Sequence, residues 1–380
     1  MGQVFLNQFK IVKPKNLVSQ GDLLEWMIGS HQHAEAQSSD SSAETAARIA
    51  TLFQRYGVKA TQIAQRYLEC DDILSKNFET HEVYKINKQQ PHGAPINERV
   101  SFFSKRAYEV FLKMYELEQT KKRPDHLIHV TCTGYISPSA AQRIVTEPKW
   151  NHQTDITHAY HMGCYAAMPA IRLAQSLVRA ADSKNFTTDI VHTEMCGLHM
   201  NPLAQTPEQM VVQTLFADGH IKYTAEAENN HVGNSLKIIA LHEKVVSDSQ
   251  QDMSWIPAPW GMQMNLSRDV PEKIKLQLKS FSSELFKKAN LSLADALRSV
   301  FAVHPGGPKI IDAVQTVLEL SNDQVKESKK VLLERGNMSS ATLPHVWDQI
   351  IKQNYPVGTK VVSYAFGPGL TLFGSVFEVC

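Results

Sequence analysis

Three residue types that covalent acyl chemistry requires occur in this chain in settings that favour reactivity. Cys164 lies in Met162-Gly163-Cys164-Tyr165-Ala166-Ala167-Met168-Pro169, where polar sequence gives way to an apolar-periodic run from Ala170 to Val178. That pattern, with Pro169 in the first turns, predicts a helix beginning near the cysteine. A thiol at a helix N-terminus meets unpaired N–H groups and the positive end of the helix dipole, and both favour the thiolate. His304 follows Phe301-Ala302-Val303 and precedes Pro305-Gly306-Gly307-Pro308. Beside a thiolate it would take the thiol proton or pair with the anion. Asn337, in Arg335-Gly336-Asn337-Met338-Ser339-Ser340, carries a neutral amide donor suited to an oxyanion or enolate. Gly306, Gly307 and Gly336 permit close approach of backbone or ligand. Each residue also has a plain structural reading: a small buried cysteine, a strand-end histidine before a turn, and a Gly-Asn helix ending. Their coincidence in one chain favours the chemical reading.

The elements that must position these groups alternate along the chain. Leu127–Thr133, Asp189–Cys196, Leu236–Leu241, Met262–Leu266, Val300–Val303, Lys360–Ala365 and Leu370–Val379 read as strands. Helices are expected at Pro271–Lys288, Pro308–Leu320, Asn322–Glu334 and Ala341–Gln353. Short apolar strands separated by helices imply covered sheets, hence an α/β fold. Towards the N-terminus, His31–Ser42 reads as a mobile polar loop, followed by a helix from about Glu44 to Leu68 with Gly57 as its weak point. Functional groups gather at element ends in both parts of the chain. That suits a site between two similar halves, residues 1–235 carrying Cys164 and residues 236–380 carrying His304 and Asn337.

With 380 residues, 39 Lys+Arg and 38 Asp+Glu, the chain can bury a large core and shows no charge bias towards nucleic acid. Five scattered cysteines argue against a disulfide framework and for a reducing compartment. The first residues lack the apolar core of a signal peptide and no run reaches transmembrane length, so a cytoplasmic protein without a membrane span is expected. His31 and His33 lack partners at ligand spacing, so no metal is expected.

The chain resembles the type III polyketide synthases, the chalcone-synthase-like group of the thiolase superfamily. The resemblance rests on Gly163-Cys164, Leu215-Phe216-Ala217-Asp218-Gly219, His304-Pro305-Gly306-Gly307-Pro308, Gly336-Asn337-Met338-Ser339-Ser340-Ala341 and Phe366-Gly367-Pro368-Gly369-Leu370-Thr371. It implies a five-layered αβαβα thiolase-like fold, a homodimer, and Cys164, His304 and Asn337 as a catalytic triad. It also implies acyl-CoA and malonyl-CoA as substrates with no further cofactor. A starter acyl group would load on Cys164, and His304 with Asn337 would stabilise the enolate left by decarboxylation of malonyl-CoA. Phe216 matches the family's gatekeeping aromatic, and Ser339 falls among its cavity residues. For CoA phosphates, Arg55 and Lys59 match basic positions and would share one face of the first long helix. A third basic position is occupied by Leu52, and Lys309 beside Gly306 and Gly307 would replace some of that charge.

The departures from the plant enzymes bear on the substrate. Met264 stands for a second gatekeeping phenylalanine. Cys132, Cys196 and His199 replace cavity threonines, and Trp255 replaces a small glycine. These exchanges resemble bacterial members that extend fatty acyl starters to alkylpyrones or alkylresorcinols. The nearest rival is a ketosynthase III that condenses once with a malonyl group on a carrier protein, using the same triad. A cysteine hydrolase is the remote alternative: His304 follows Cys164 by 304 − 164 = 140 residues, within the papain-like range, but the papain signature is absent.

Overall fold

The computed structural model describes residues 2–38, 42–116, 123–150, 153–228 and 233–380. Among them, thirteen strands and eleven α-helices alternate. The strands are β1 (Phe5–Val12), β2 (Asn16–Ser19), β3 (Gln65–Leu68), β4 (His126–Thr131), β5 (Asp155–Tyr160), β6 (Thr187–Met195) and β7 (Asp218–Glu226). They continue with β8 (Leu236–Val245), β9 (Met253–Ala258), β10 (Gly261–Leu266), β11 (Val300–Val303), β12 (Lys360–Gly367) and β13 (Thr371–Val379). The helices are α1 (Gln20–Ser38), α2 (Ala43–Tyr56), α3 (Ile96–Tyr115), α4 (Ala140–Val145), α5 (Ala167–Ala180) and α6 (Pro207–Leu215). After them come α7 (Val270–Lys288), α8 (Leu293–Ala296), α9 (Pro308–Leu318), α10 (Lys326–Arg335) and α11 (Thr342–Lys352).

Nine strands form one ladder in the order β11-β12-β13-β8-β1-β7-β6-β4-β5. Its two wings repeat a topology. In the first, β7 runs antiparallel to both β1 and β6, while β4 is parallel to β6 and β5. In the second, β13 runs antiparallel to β8 and β12, while β11 is parallel to β12. The wings meet where Phe5 and Leu6 of β1 pair with Lys237 and Leu236 of β8. Adjacent strand residues point to opposite faces, and in β4, β6, β7, β11, β12 and β13 both faces are buried. Ile128, Ile190, Ala302 and Val361 join a central core with Ile171 of α5 and Trp347 of α11. Leu127 and Val191 face outward onto Trp26 of α1 and Phe103 of α3. Phe301 and Val362 face outward onto Phe281 of α7 and Val314 of α9. The layers are therefore helix, sheet, helix, sheet, helix: the thiolase-like αβαβα arrangement.

Two N-terminal expectations are corrected. Residues 31–38, read as loop, belong to α1, whose buried positions Leu23, Trp26, Met27, Ser30, His31 and Ala34 follow a helical period. Positions 39–41 of that stretch lie outside the described residues. His31 and His33 serve packing: the first bonds Gln213 Oε1 at 2.7 Å, and the second stacks on Phe78. The helix expected from Glu44 to Leu68 stops at Tyr56, because Gly57 leaves helical geometry with ψ 144°. The chain then turns and enters β3.

Candidate active site

Cys164 sits in a turn three residues ahead of Ala167, the first residue of α5. Gly163 makes the bend with φ +78°, and a Cβ there would fall 2.5 Å from Pro368 Cδ. A Cβ on Gly367 would come within 2.1 Å of Tyr165. The Phe366-Gly367-Pro368-Gly369 turn is thus closed onto the cysteine turn, which accounts for Gly367. The Gly163 N–H donates to Cys132 Sγ at 3.0 Å.

His304 extends β11, its N–H donating to Tyr364 O at 2.7 Å. Its ring is buried, and neither ring nitrogen has a partner among the described residues. Asn337 follows Gly336, which ends α10 with φ +70°; the glycine, not the asparagine, caps the helix. The Asn337 N–H donates to Leu215 O (3.0 Å), and Ala217 N–H donates to Asn337 O (2.8 Å). Asn337 Oδ1 accepts from Ser339 N–H (2.9 Å) and Thr342 Oγ1 (3.2 Å). This fixes the amide so that Nδ2 faces Cys164 Sγ at 4.0 Å and Gly306 O at 3.5 Å. The Cys164 thiol also lies 3.9 Å from Ser339 Oγ.

Burial dominates the electrostatics. It pushes the Cys164 thiol up to about 12; hydrogen bonds from Ser339 and Asn337 work against this, while the charge of Glu194 adds to it. Burial likewise pulls His304 from 6.5 down to about 3. Cys164 is therefore a neutral thiol and His304 a neutral imidazole. The thiolate expected from a helix N-terminus does not form by itself, since Cys164 precedes the helix and has little water around it. Glu194 is buried under the cysteine, accepting from Cys132 N–H (3.0 Å) and Thr133 Oγ1 (2.9 Å), and burial raises its pKa.

A cleft of about 530 Å³ spans Cys164, His304 and Asn337 at one end and Arg55, Lys59, Arg268 and Lys309 at the other, with Gly306 and Gly307 in its wall. These four cations are exposed. Arg55 and Lys59 do not share a helix face, because α2 ends between them. Leu52 packs against the core instead of facing the cleft. Behind Cys164 lies a void of about 20 Å³, bounded by Cys132, Cys196, Trp255 and Ser339, room for about one water. A third void, about 40 Å³, runs past His199 to Trp26 and Met27 of α1. Phe216 and Met264 border all three spaces. The wall between them is fastened by Trp255 Nε1 donating to Cys132 O (2.6 Å), His199 Nε2 to Thr133 O (2.9 Å) and Met262 N–H to His199 Nδ1 (3.1 Å).

Sequence reasoning missed Glu194 and Arg268. A carboxylate within a segment read as a buried strand is the signal for the first, since acids are almost never fully buried unless paired. Arg268 carries no local signal beyond its place before α7.

The comparisons with known proteins agree with this geometry. A family model described as "Chalcone and stilbene synthases, N-terminal domain" matches residues 13–226, and the corresponding C-terminal model matches residues 238–379. A curated relative, "Type III polyketide synthase C" of Arabidopsis thaliana, is 23% identical over 368 residues, covering 95% of this chain and 91% of its own. "Probable polyketide synthase 1" of Dictyostelium discoideum is 26% identical over 337 residues, 87% of this chain but 10% of that much longer relative. Among solved structures, PKS-I of the brown alga Ectocarpus siliculosus superposes with a TM-score of 0.84 at 20% identity, over 100% of this chain and 99% of the other. 1,3,6,8-Tetrahydroxynaphthalene synthase of Streptomyces coelicolor gives 0.77 at 18% identity, over 98% and 99%. The chain belongs to the chalcone and stilbene synthase family, the type III polyketide synthases.

Proposed function

We propose that Cys164 accepts an acyl group from a CoA thioester, and that malonyl-CoA is then decarboxylated in the same cleft. The enolate is stabilised by Asn337 Nδ2 and His304 and attacks the acyl thioester. The observation that carries this is the convergence of Cys164, His304 and Asn337 at the inner end of a cleft whose mouth has Arg55, Lys59, Arg268 and Lys309. Cations of this kind suit the phosphates of CoA. His304, held neutral by burial, takes the thiol proton as Cys164 attacks and returns it to the CoA thiolate that leaves. A contiguous imidazolium–anion pair is less costly in a dry site than either charge alone. By family resemblance the protein acts as a homodimer on free CoA thioesters. Comparing malonyl-CoA with malonyl-carrier protein, and one condensation with several, separates this from a single-step ketosynthase.

The titration of His304 yields a test. Lowered to about 3, it keeps its neutral, proton-accepting form throughout the neutral and mildly acidic range. Acylation of Cys164 by an N-acetylcysteamine thioester, which lacks phosphates, is expected to have a level kcat/KM from about pH 5 to 8. Stopped-flow rates across that range check it; an acidic limb centred near 6.5, the ordinary histidine value, contradicts it.

We further propose a medium or long fatty acyl starter, closed to a pyrone or resorcinol. Support comes from Met264, a flexible thioether at the junction of the three spaces, and from the apolar void that continues towards α1. Each methylene buried there contributes roughly 0.8 kcal/mol. A short starter is favoured by one specific observation: Trp255 is tied to Cys132 O and leaves about 20 Å³ behind the cysteine. Competing acetyl-, hexanoyl-, decanoyl- and benzoyl-CoA with malonyl-CoA and weighing the products by mass decides between them. The fatty acyl reading expects kcat/KM to rise to decanoyl-CoA; a maximum at acetyl- or benzoyl-CoA refutes it.

A further inference from the structure

The motif Leu215-Phe216-Ala217-Asp218-Gly219 contributes one side chain to the gate, which leaves most of it without a role. Its backbone forms one side of the bridge that holds Asn337, through Leu215 O and Ala217 N–H. Helix α6 ends at this point, so its last carbonyls lack intrahelical partners. Buried Arg66 and its partner Gln20 take two of them, and Arg66 also takes the carbonyl that follows the helix. Arg66 of β3, with no solvent exposure, donates from Nη1 to Gln213 O (2.9 Å) and to Phe216 O (2.7 Å). Its Nε donates to Gln20 Oε1 (2.9 Å), and Gln20 Nε2 in turn donates to Thr214 O (3.0 Å) and Val58 O (2.9 Å). A cation at a helix C-terminus is favourable, and planar donors suit several carbonyls at once. The Asp218 carboxyl lies nearby, held by Glu69 N–H and Gly197 N–H at 2.7 Å each; burial raises it to about 7, and the Arg66 charge works against that rise.

The stem of the same arginine touches the opposite side of the bridge. A Cβ on Gly336 would lie 3.1 Å from Arg66 Cγ and 3.0 Å from Leu215 O. Arg66 therefore contacts the segment that ends in Phe216 through its head and the residue before Asn337 through its stem.

We infer that Arg66 is a positioning residue for the Asn337 amide, clamping the Leu215–Ala217 segment against the Gly336–Asn337 turn. This rests on the role proposed above for Asn337. Misplacing a reacting group by about 1 Å costs up to about 10²-fold in rate, so loss of the clamp acts on the step that uses the amide.

The test compares steady-state malonyl-CoA decarboxylation with single-turnover acylation of Cys164 in Asn337→Ala, Arg66→Met, Arg66→Lys and the Arg66→Met/Asn337→Ala double variant. Arg66→Met is expected to lower decarboxylation kcat by about tenfold or more, leaving KM and acylation within about twofold. Arg66→Lys recovers part of the loss, and the double variant is no slower than Asn337→Ala alone. If Asn337→Ala leaves decarboxylation intact, the reading of Asn337 itself falls, and the inference with it. If Asn337→Ala is impaired while Arg66→Met is unchanged, lowers both steps equally, or multiplies with Asn337→Ala, the positioning role is overturned and Asn337 keeps its own. Should Arg66→Met not fold, Arg66→Lys decides: a loss confined to decarboxylation kcat supports the clamp, and an equal loss in both steps or none overturns it.

Discussion

Replacing Cys164 by alanine is expected to lower acyl transfer from CoA thioesters by at least about 10³-fold and to remove polyketide products, with the fold intact. The sulfur's polar contacts are long, 3.9 Å to Ser339 and 4.0 Å to Asn337, so little native structure depends on them. No neighbouring thiol is equipped to substitute. Cys132 accepts the Gly163 N–H, and neither Cys132 nor Cys196 lines the cleft that Cys164 shares with His304 and Asn337. His304 and Asn337 remain in the variant, so decarboxylation of malonyl-CoA persists. Circular dichroism and product masses check the result; undiminished products would contradict the assignment of the nucleophile.

Asn337→Ala is expected to reduce malonyl-CoA decarboxylation by about 10²-fold or more, the range for losing one oxyanion donor. The argument is geometric. Ser339 N–H and Thr342 Oγ1 occupy Oδ1, leaving Nδ2 aimed into the cleft beside Cys164 before any substrate arrives. A donor oriented in advance acts on charge that appears in the transition state and contributes little to ground-state thioester binding. Acylation of Cys164 is therefore largely spared, whereas His304→Ala, which removes the proton acceptor as well, impairs both steps. Loss of acylation with retention of decarboxylation in Asn337→Ala would reverse the assignment.

How much of this was legible in the sequence depended on whether a signal was local. The strand expected at Val300–Val303 matches to the residue, and α7 and α11 to within one, because apolar period and proline or glycine punctuation agree there. Strand β7 is hard to place from the sequence, since Asp218, His220, Lys222, Thr224 and Glu226 look like surface. They alternate with Ile221, Tyr223 and Ala225, and the polar face is buried against partners from distant segments. Lys222 and Thr224 bond Asp189, His220 meets Glu69, and Glu226 accepts from Asn7. The alternation is that of a half-buried strand, and only the burial of its polar face depends on partners remote in sequence. Helix α1 was missed for a similar reason: Ser30 and His31 sit in its buried stripe, and Gln213, far along the chain, completes the hydrogen bonding of His31.

The site followed the same division. Cys164, His304 and Asn337 stand in motifs with their own turn chemistry, whereas Arg66 belongs to a short strand and its side chain bonds Gln213 O of α6 and Phe216 O just past it. Nothing near Arg66 in sequence announces that role. The protonation state was also illegible, because burial of Cys164 and His304 is set by the packing of two wings of the sheet and not by the residues beside them.

The central claim is that Cys164 carries the acyl group. Incubation with an acyl-CoA, acid quench, proteolysis and peptide mass mapping test it most directly. The account predicts one acyl adduct, on the peptide containing Cys164, at a stoichiometry approaching one per chain. An adduct mainly on Cys132 or Cys196, or an unmodified Cys164 under conditions of active turnover, would contradict it.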